Sequence, residues 1–206
     1  MRTPDAIAPL REREFRLLFA GQTVSLIGDN LAPIALAFAI LEEDGSATDV
    51  GVVYASNIVA RLAFILVGGV MADRLSRHRV MLAADALRAV SSGVLAFAVM
   101  TGDPPLGLYV AMVGVHGVGA AFFDPASTGL VPQTVSAPEL QRANALLGIA
   151  HSSGGVLGPA AGGAVIALAG PGAALATDAG TFVVSAFALL LMHPPEHDRG
   201  AERAGF

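Results

Sequence analysis

The sequence is built from apolar runs of about 20 residues or more, separated by short charged clusters. A helix rising 1.5 Å per residue crosses the ~30 Å hydrocarbon core of a bilayer in a run of that length. Composition agrees with this pattern. Apolar residues make up 54% of the chain and charged residues 14%, against about one-quarter charged in a soluble domain. Mean hydropathy is +0.64. Six spans follow, near 15–41, 49–72, 79–101, 105–128, 142–169 and 171–193. The fold class expected is therefore all-α, a polytopic membrane bundle over 15–193. A cytoplasmic N-terminal tail covers 1–14, and a cytoplasmic tail or the start of a central linker covers 194–206.

The connecting segments test that topology. All basic residues are arginine, which hints at a GC-rich bacterial genome. Arg2, Arg11 and Arg13 precede the first span and Arg16 stands at its very start. Arg74, Arg77 and Arg79 sit between the second and third, Arg142 follows the fourth, and Arg199 and Arg203 follow the sixth. The other three loops, "EEDGSATD", "GDPP" and "GPG", contain no arginine. By the positive-inside rule both termini and every basic loop face the cytoplasm, in a bacterial inner membrane. The N-terminus "MRTPDAIAPLRERE" is polar, and the apolar stretch after it is too long for a signal-peptide core.

Chemistry is sparse. The chain has no cysteine, which excludes disulfides and thiolate metal sites. No His-Glu-x-x-His or nucleophile–base spacing occurs, so neither a catalytic residue nor a metal, cofactor or nucleic acid is expected. "GVHGVGAA" lacks the third glycine of a dinucleotide fingerprint, and "GGVLGPAAGG" lacks the strand before and the Gly-Lys-Ser/Thr of a phosphate loop. Glycine has a different use here. Helices in lipid associate through close backbone approach, which small residues permit. Gly21, Ser25, Gly28 and Ala32 form such a stripe on the first span, and Gly114, Gly117 and Ala121 on the fourth. Gly154, Gly158 and Gly162 form a third on the fifth span, beside Gly155, Pro159 and Gly163.

Two short motifs carry a family resemblance. "GGVMADRLSRHR" resembles the signature loop of the major facilitator superfamily at Gly69, Asp73, Arg74, Arg77 and Arg79, with Ser76 where glycine is usual and His78 where Arg or Lys is common. "GVLGPAAGG" is similar to the helix-five motif of that superfamily's antiporters at Gly154, Gly158, Pro159, Gly162 and Gly163. "FFDPASTGLVPQTV" and "ELQRANAL" resemble the branch of macrolide, multidrug and siderophore exporters. The fourth-helix arginine of many drug/proton antiporters is replaced by Val113. The resemblance implies a secondary transporter, exporting amphipathic small molecules in exchange for protons by alternating access. Superfamily members have two six-helix halves, so it also implies a second half, from the same chain or another copy, against which the signature loop gates. Asp124 is expected as a further partner of Arg77. The competing reading is a non-transporting six-helix membrane protein, a remnant or an interaction subunit.

Charge within spans is the remaining signal, because an ionisable group at the bilayer centre costs a few kcal/mol. Asp29, with Asn30 beside it, and Arg61 each lie roughly 20 Å from the side where their span begins. They are expected to form either an ion pair between two spans or part of a substrate or proton site. His116 and His151 fall at similar depth and complete the candidate midplane site. Asp85 and Arg88, spaced i, i+3, are expected in the first turns of the third span. Asp178 is expected in an outer vestibule or in helix packing.

Overall fold

The computed structural model describes residues 6–193. Arg2, Arg199, Arg203 and the expected linker 194–206 lie outside the described residues. Five helices are long and apolar enough to cross a membrane. They are α1 (Arg13–Glu42), α2 (Ala47–Arg74), α3 (Arg77–Thr101), α4 (Leu106–Thr134) and α5 (Leu140–Leu190), with no strand among the described residues.

Local sequence explains their ends. After α1 the chain enters the left-handed region at Asp44 (φ 60°), and the Gly45 N–H bonds back to the Ile40 carbonyl at 3.0 Å. This is a Schellman closure. It needs glycine at position 45, where a Cβ would lie 2.4 Å from the Ile40 oxygen. Ser46 and Asp49 then form a reciprocal capping box that opens α2. Pro104 and Pro105 separate α3 from α4, and Pro105 is the N-cap of α4. α4 continues to Thr134, beyond its expected end at 128.

The expected fifth and sixth spans are two helical arms that meet without a longer loop at Gly170. They form one 51-residue element, α5, interrupted by non-helical backbone at Gly170 (φ 82°, ψ 170°). The "GPG" loop is thus too short to register as a gap between helices, and glycine at its first position supplies the positive φ. Neighbours along α1 show the path of the chain. Gly154 lies against Leu26 and Gly162 against Leu31, whereas Gly28 lies against Asp178 and Thr181 and Gly21 against Ser185 and Ala188. The arm before Gly170 therefore runs parallel to α1 and the arm after it antiparallel, so α5 folds back on itself.

These approaches are tight. A Cβ on Gly158 would come 2.5 Å from Asn30 Cβ, on Gly117 2.5 Å from the Asn57 carbonyl, and on Gly68 2.3 Å from the Ala121 carbonyl. Packing follows two seams, α1 with α5 and α2 with α4, while α3 covers both α4 and α5. Two clusters of buried side chains fill the opposite ends, one around Phe15, Met81, Phe123 and Leu130, the other around Leu36, Val53, Tyr109 and Leu175.

Single cysteines in this cysteine-free chain test the path of α5. Ser46→Cys and Ala169→Cys should label with an impermeant maleimide from one face of the membrane. Ser76→Cys and Gln141→Cys should label from the other. Labelling of Ala169→Cys from the same face as Gln141→Cys would overturn the fold-back.

Candidate functional site

Midway along the bundle, α3 turns a polar face inward. Asp85, Arg88, Ser91 and Ser92 recur at the spacing of one helix face and are all buried. Arg88 is about 16 Å along α3 from its start and only 3% exposed. One arm of its guanidinium is paired with Asp85 Oδ1, and Nη1 lies 3.3 Å from Asp29 Oδ2 of α1. The plane sits between two rings, with its central carbon 4.2 Å from the Phe123 centroid and 4.3 Å from that of Phe182. Gly119 makes the room: a Cβ there would meet Arg88 Cγ at 2.6 Å. A buried charge is tolerated when its partners replace water, and cation–π contact adds to the ion pairs.

Asp29 is shared. Its Oδ1 lies 3.3 Å from Nε2 of His116 on α4, and the His116 ring meets Phe182 edge-on at 5.4 Å. A second carboxyl stands beside the cluster. Asp178, fully buried, accepts a hydrogen bond from the Ser92 hydroxyl at 2.8 Å, while its Oδ1 faces Gly28. Asp178 therefore belongs to helix packing and not to a vestibule. The cluster joins α1, α3, α4 and the second arm of α5.

The expected midplane site is brought together only in part. Asp29 and His116 meet. Asn30 donates to the Leu26 carbonyl of its own helix at 2.7 Å and packs beneath Gly158. Arg61 does not pair with Asp29. Its partner is Asp124 at 2.5 Å, and both side chains are substantially exposed. The same pair removes Asp124 from Arg77. The physical reason is the α2–α4 seam, which sets these two residues side by side, while α3 presents Arg88 to Asp29 first. His151 is exposed, with Nδ1 3.1 Å from the Leu147 carbonyl of its own turn. Asp85 and Arg88, expected in the first turns of the third span, lie deeper, in the buried centre of the bundle. The signal was present in "DALRAVSS", whose polar residues share one helical face.

At the α2–α3 turn, α2 ends at Arg74 and α3 begins at Arg77. The Asp73–Arg77 pair (3.7 Å) therefore bridges a turn and does not run along one helix. Arg77 donates to the Gly129 carbonyl at 2.7 Å, lying where a Cβ on Gly129 would come 2.5 Å from its Nε. Gly68 is packed on α4, but Gly69 has open space around it. On α5, Gly154, Gly158 and Gly162 are buried against α1, whereas Gly155 and Gly163 face open space and Pro159 is partly buried. At the far end, burial raises the Glu43 carboxyl above its ordinary value; the Tyr109 hydroxyl, donating at 3.1 Å, opposes this, and nearby Asp103 and Glu42 add to it.

The sequence model of the Major Facilitator Superfamily matches residues 18–205. The multidrug efflux pump Tap of Mycolicibacterium fortuitum is 30% identical over 85% of this chain and 44% of its own length. Macrolide efflux protein A of Streptococcus pyogenes is 28% identical over 63% of this chain and 32% of its own. The lysophospholipid transporter LplT of Yersinia pestis (strain Pestoides F) is 28% identical over 75% and 36%. The chain spans less than half the length of each of these relatives.

A double-mutant cycle separates the observed pairing from the expected one. Asp29→Asn and Arg88→Gln should each lower stability by about 3 kcal/mol, with a coupling of about 1–3 kcal/mol between them. Asp29→Asn and Arg61→Gln should add to within about 0.5 kcal/mol. Thermal unfolding in detergent measures both, and strong coupling of Asp29 to Arg61 alone would contradict the arrangement.

Proposed function

The chain belongs to the major facilitator superfamily, and from that premise we propose that it forms a six-crossing half of a secondary exporter. It crosses once with each of α1–α4 and twice with α5, both termini lying in the cytoplasm of a bacterial cell. It is a multi-pass membrane protein of a transporter family with efflux relatives. The observation that carries the reading is Asp29, shared at mid-depth between Arg88 and His116. Transporter sites near the bilayer midplane use such intramembrane ionisable groups.

Alternating access needs two packings of similar free energy and a contact that differs between them. Asp29 supplies such a contact. A proton on His116 makes the 3.3 Å approach an ion pair, and its loss leaves a hydrogen bond and a carboxylate freer to meet a cationic substrate group. This is proton exchange for an amphipathic small molecule. The relatives' names, covering multidrug and macrolide efflux and lysophospholipid transport, support that substrate class. The exposed apolar side chains of α2, among them Leu62 (66% exposed) and Leu66 (80%), are suited to lipid and to a second six-helix unit. Gly69, Asp73, Arg74, Arg77 and Arg79 form the cytoplasmic gate in this reading. The helix-five residues Gly154, Gly158, Pro159, Gly162 and Gly163 form its bendable, close-packed seam, with Pro159 removing one helical hydrogen bond.

The gate is tested in proteoliposomes that hold the chain with a second six-helix unit. The unit is either a second copy or the remaining half of the multidrug relative. Asp73 is largely exposed, at 79%, so Asp73→Asn should insert at normal levels. It should nevertheless slow proton-driven efflux of a fluorescent amphipathic cation by about fivefold or more, because it shifts the ratio of the two states. Arg142→Gln, which loses a part-buried pair with Glu139 (2.6 Å) outside the signature turn, should transport almost normally. Equal transport by both variants would assign the signature charges to orientation alone.

A further inference from the structure

A cleft of about 970 Å³ opens beside the signature turn and lies outside the central cluster. Its origin is the packing order. α4 packs against both α2 and α3, which barely touch each other along their lengths, so a gap remains between them with α4 as its floor. The mouth carries Asp73, Arg77 and Arg79, and the deeper wall is formed by Leu87, Val118 and Phe122. Leu87 lies about 15 Å along α3 from Arg77, which is half the depth of a ~30 Å hydrocarbon core.

The two ends of this cleft ask for different chemistry. At the mouth, two guanidinium groups face one carboxylate. Arg77 already holds Asp73 (3.7 Å) and the Gly129 carbonyl (2.7 Å). Arg79, exposed, has no hydrogen bond or ion pair among the described residues. His78 also lines the cleft, with its Nε2 engaged by the Leu189 carbonyl at 2.5 Å. A positive charge is thus left over where the helix meets the headgroup layer. Farther in, the lining is apolar, and Leu87, one of its residues, is 37% exposed overall. A small soluble anion would satisfy Arg79 and leave that apolar wall uncovered at bilayer depth. A neutral lipid would cover the wall and leave the charge.

We infer that this cleft holds an anionic phospholipid, with its phosphate on Arg79 at the mouth and one acyl chain along Leu87, Val118 and Phe122. The assignment fits the general tendency of basic pockets between membrane helices to take anionic headgroups, and the volume lies within the range of small-ligand sites. It goes beyond the transport reading and requires only that the chain be inserted in a bilayer.

The chain has no tryptophan, so Leu87→Trp places a single reporter in the cleft. In phosphatidylcholine bilayers containing a small fraction of brominated phosphatidylglycerol, its quenching should correspond to enrichment of about fivefold over the bulk fraction. Brominated phosphatidylcholine at the same fraction should quench only to the bulk level. Adding Arg79→Gln should bring the phosphatidylglycerol signal down to that level, and Val94→Trp, exposed on the same helix outside the cleft, should report bulk lipid throughout. Native mass spectrometry of the unaltered chain gives an independent reading: phosphatidylglycerol should be retained over phosphatidylcholine, and Arg79→Gln should abolish the preference. Equal quenching by both lipids, insensitivity to Arg79→Gln, or relief of quenching by millimolar inorganic phosphate would each overturn the assignment.

Discussion

A guanidinium buried in the middle of a membrane bundle must be surrounded by groups that replace water, and that requirement organises the centre of this protein. Arg88 is 3% exposed. Asp85 neutralises it from its own helix and Asp29 approaches from α1 at 3.3 Å. Phe123 and Phe182 cover its faces. Each of these partners lies on a different piece of the chain or a different turn, so satisfying one side chain fixes the mutual placement of α1, α3, α4 and the second arm of α5. Gly119 follows from the same need, because only a hydrogen there leaves space for the Arg88 stem.

The rest of the bundle is held by shape. Apolar surface gains little from leaving lipid for protein, so helices associate where backbones come close enough for dispersion contacts to accumulate. Gly158 over Asn30, Gly117 over Asn57 and Gly68 over Ala121 are such points. They lie on the α1–α5 and α2–α4 seams, and the polar cluster sits where α3 closes over both. Asp29 has two basic neighbours in that cluster, Arg88 and His116, each at 3.3 Å.

Much of this was legible in the residues. Long apolar runs predicted spanning helices, and small residues at helical spacing marked the seams: Gly21, Gly28, Gly117, Gly154, Gly158 and Gly162 all face a neighbouring helix. Which charges meet was not legible. Depth along a span places Asp29 and Arg61 at comparable levels, yet a level is a disc, and the rotation of each helix decides who faces whom. Rotation was encoded in α3 by the polar stripe of Asp85, Arg88 and Ser92, which outweighs any count from the membrane edge. His151 was not legible either: it stands within about 60° of Gly154 and Gly158 around its helix, yet its side chain is exposed and its Nδ1 meets the Leu147 carbonyl of its own turn. The break expected at "GPG" falls where the glycine at position 170 carries the non-helical backbone that reverses the chain.

The claim that Arg88 organises the bundle is tested most directly by Arg88→Lys, because lysine keeps the charge and loses the planar fork and the ring stacking. An ammonium cannot reach Asp85 and Asp29 while lying flat between Phe123 and Phe182. Thermal unfolding of the chain in detergent should therefore show Arg88→Lys losing most of the stability that Arg88→Met loses. A Lys variant as stable as the original chain would contradict the account, since charge alone, without the geometry of the guanidinium, would then suffice.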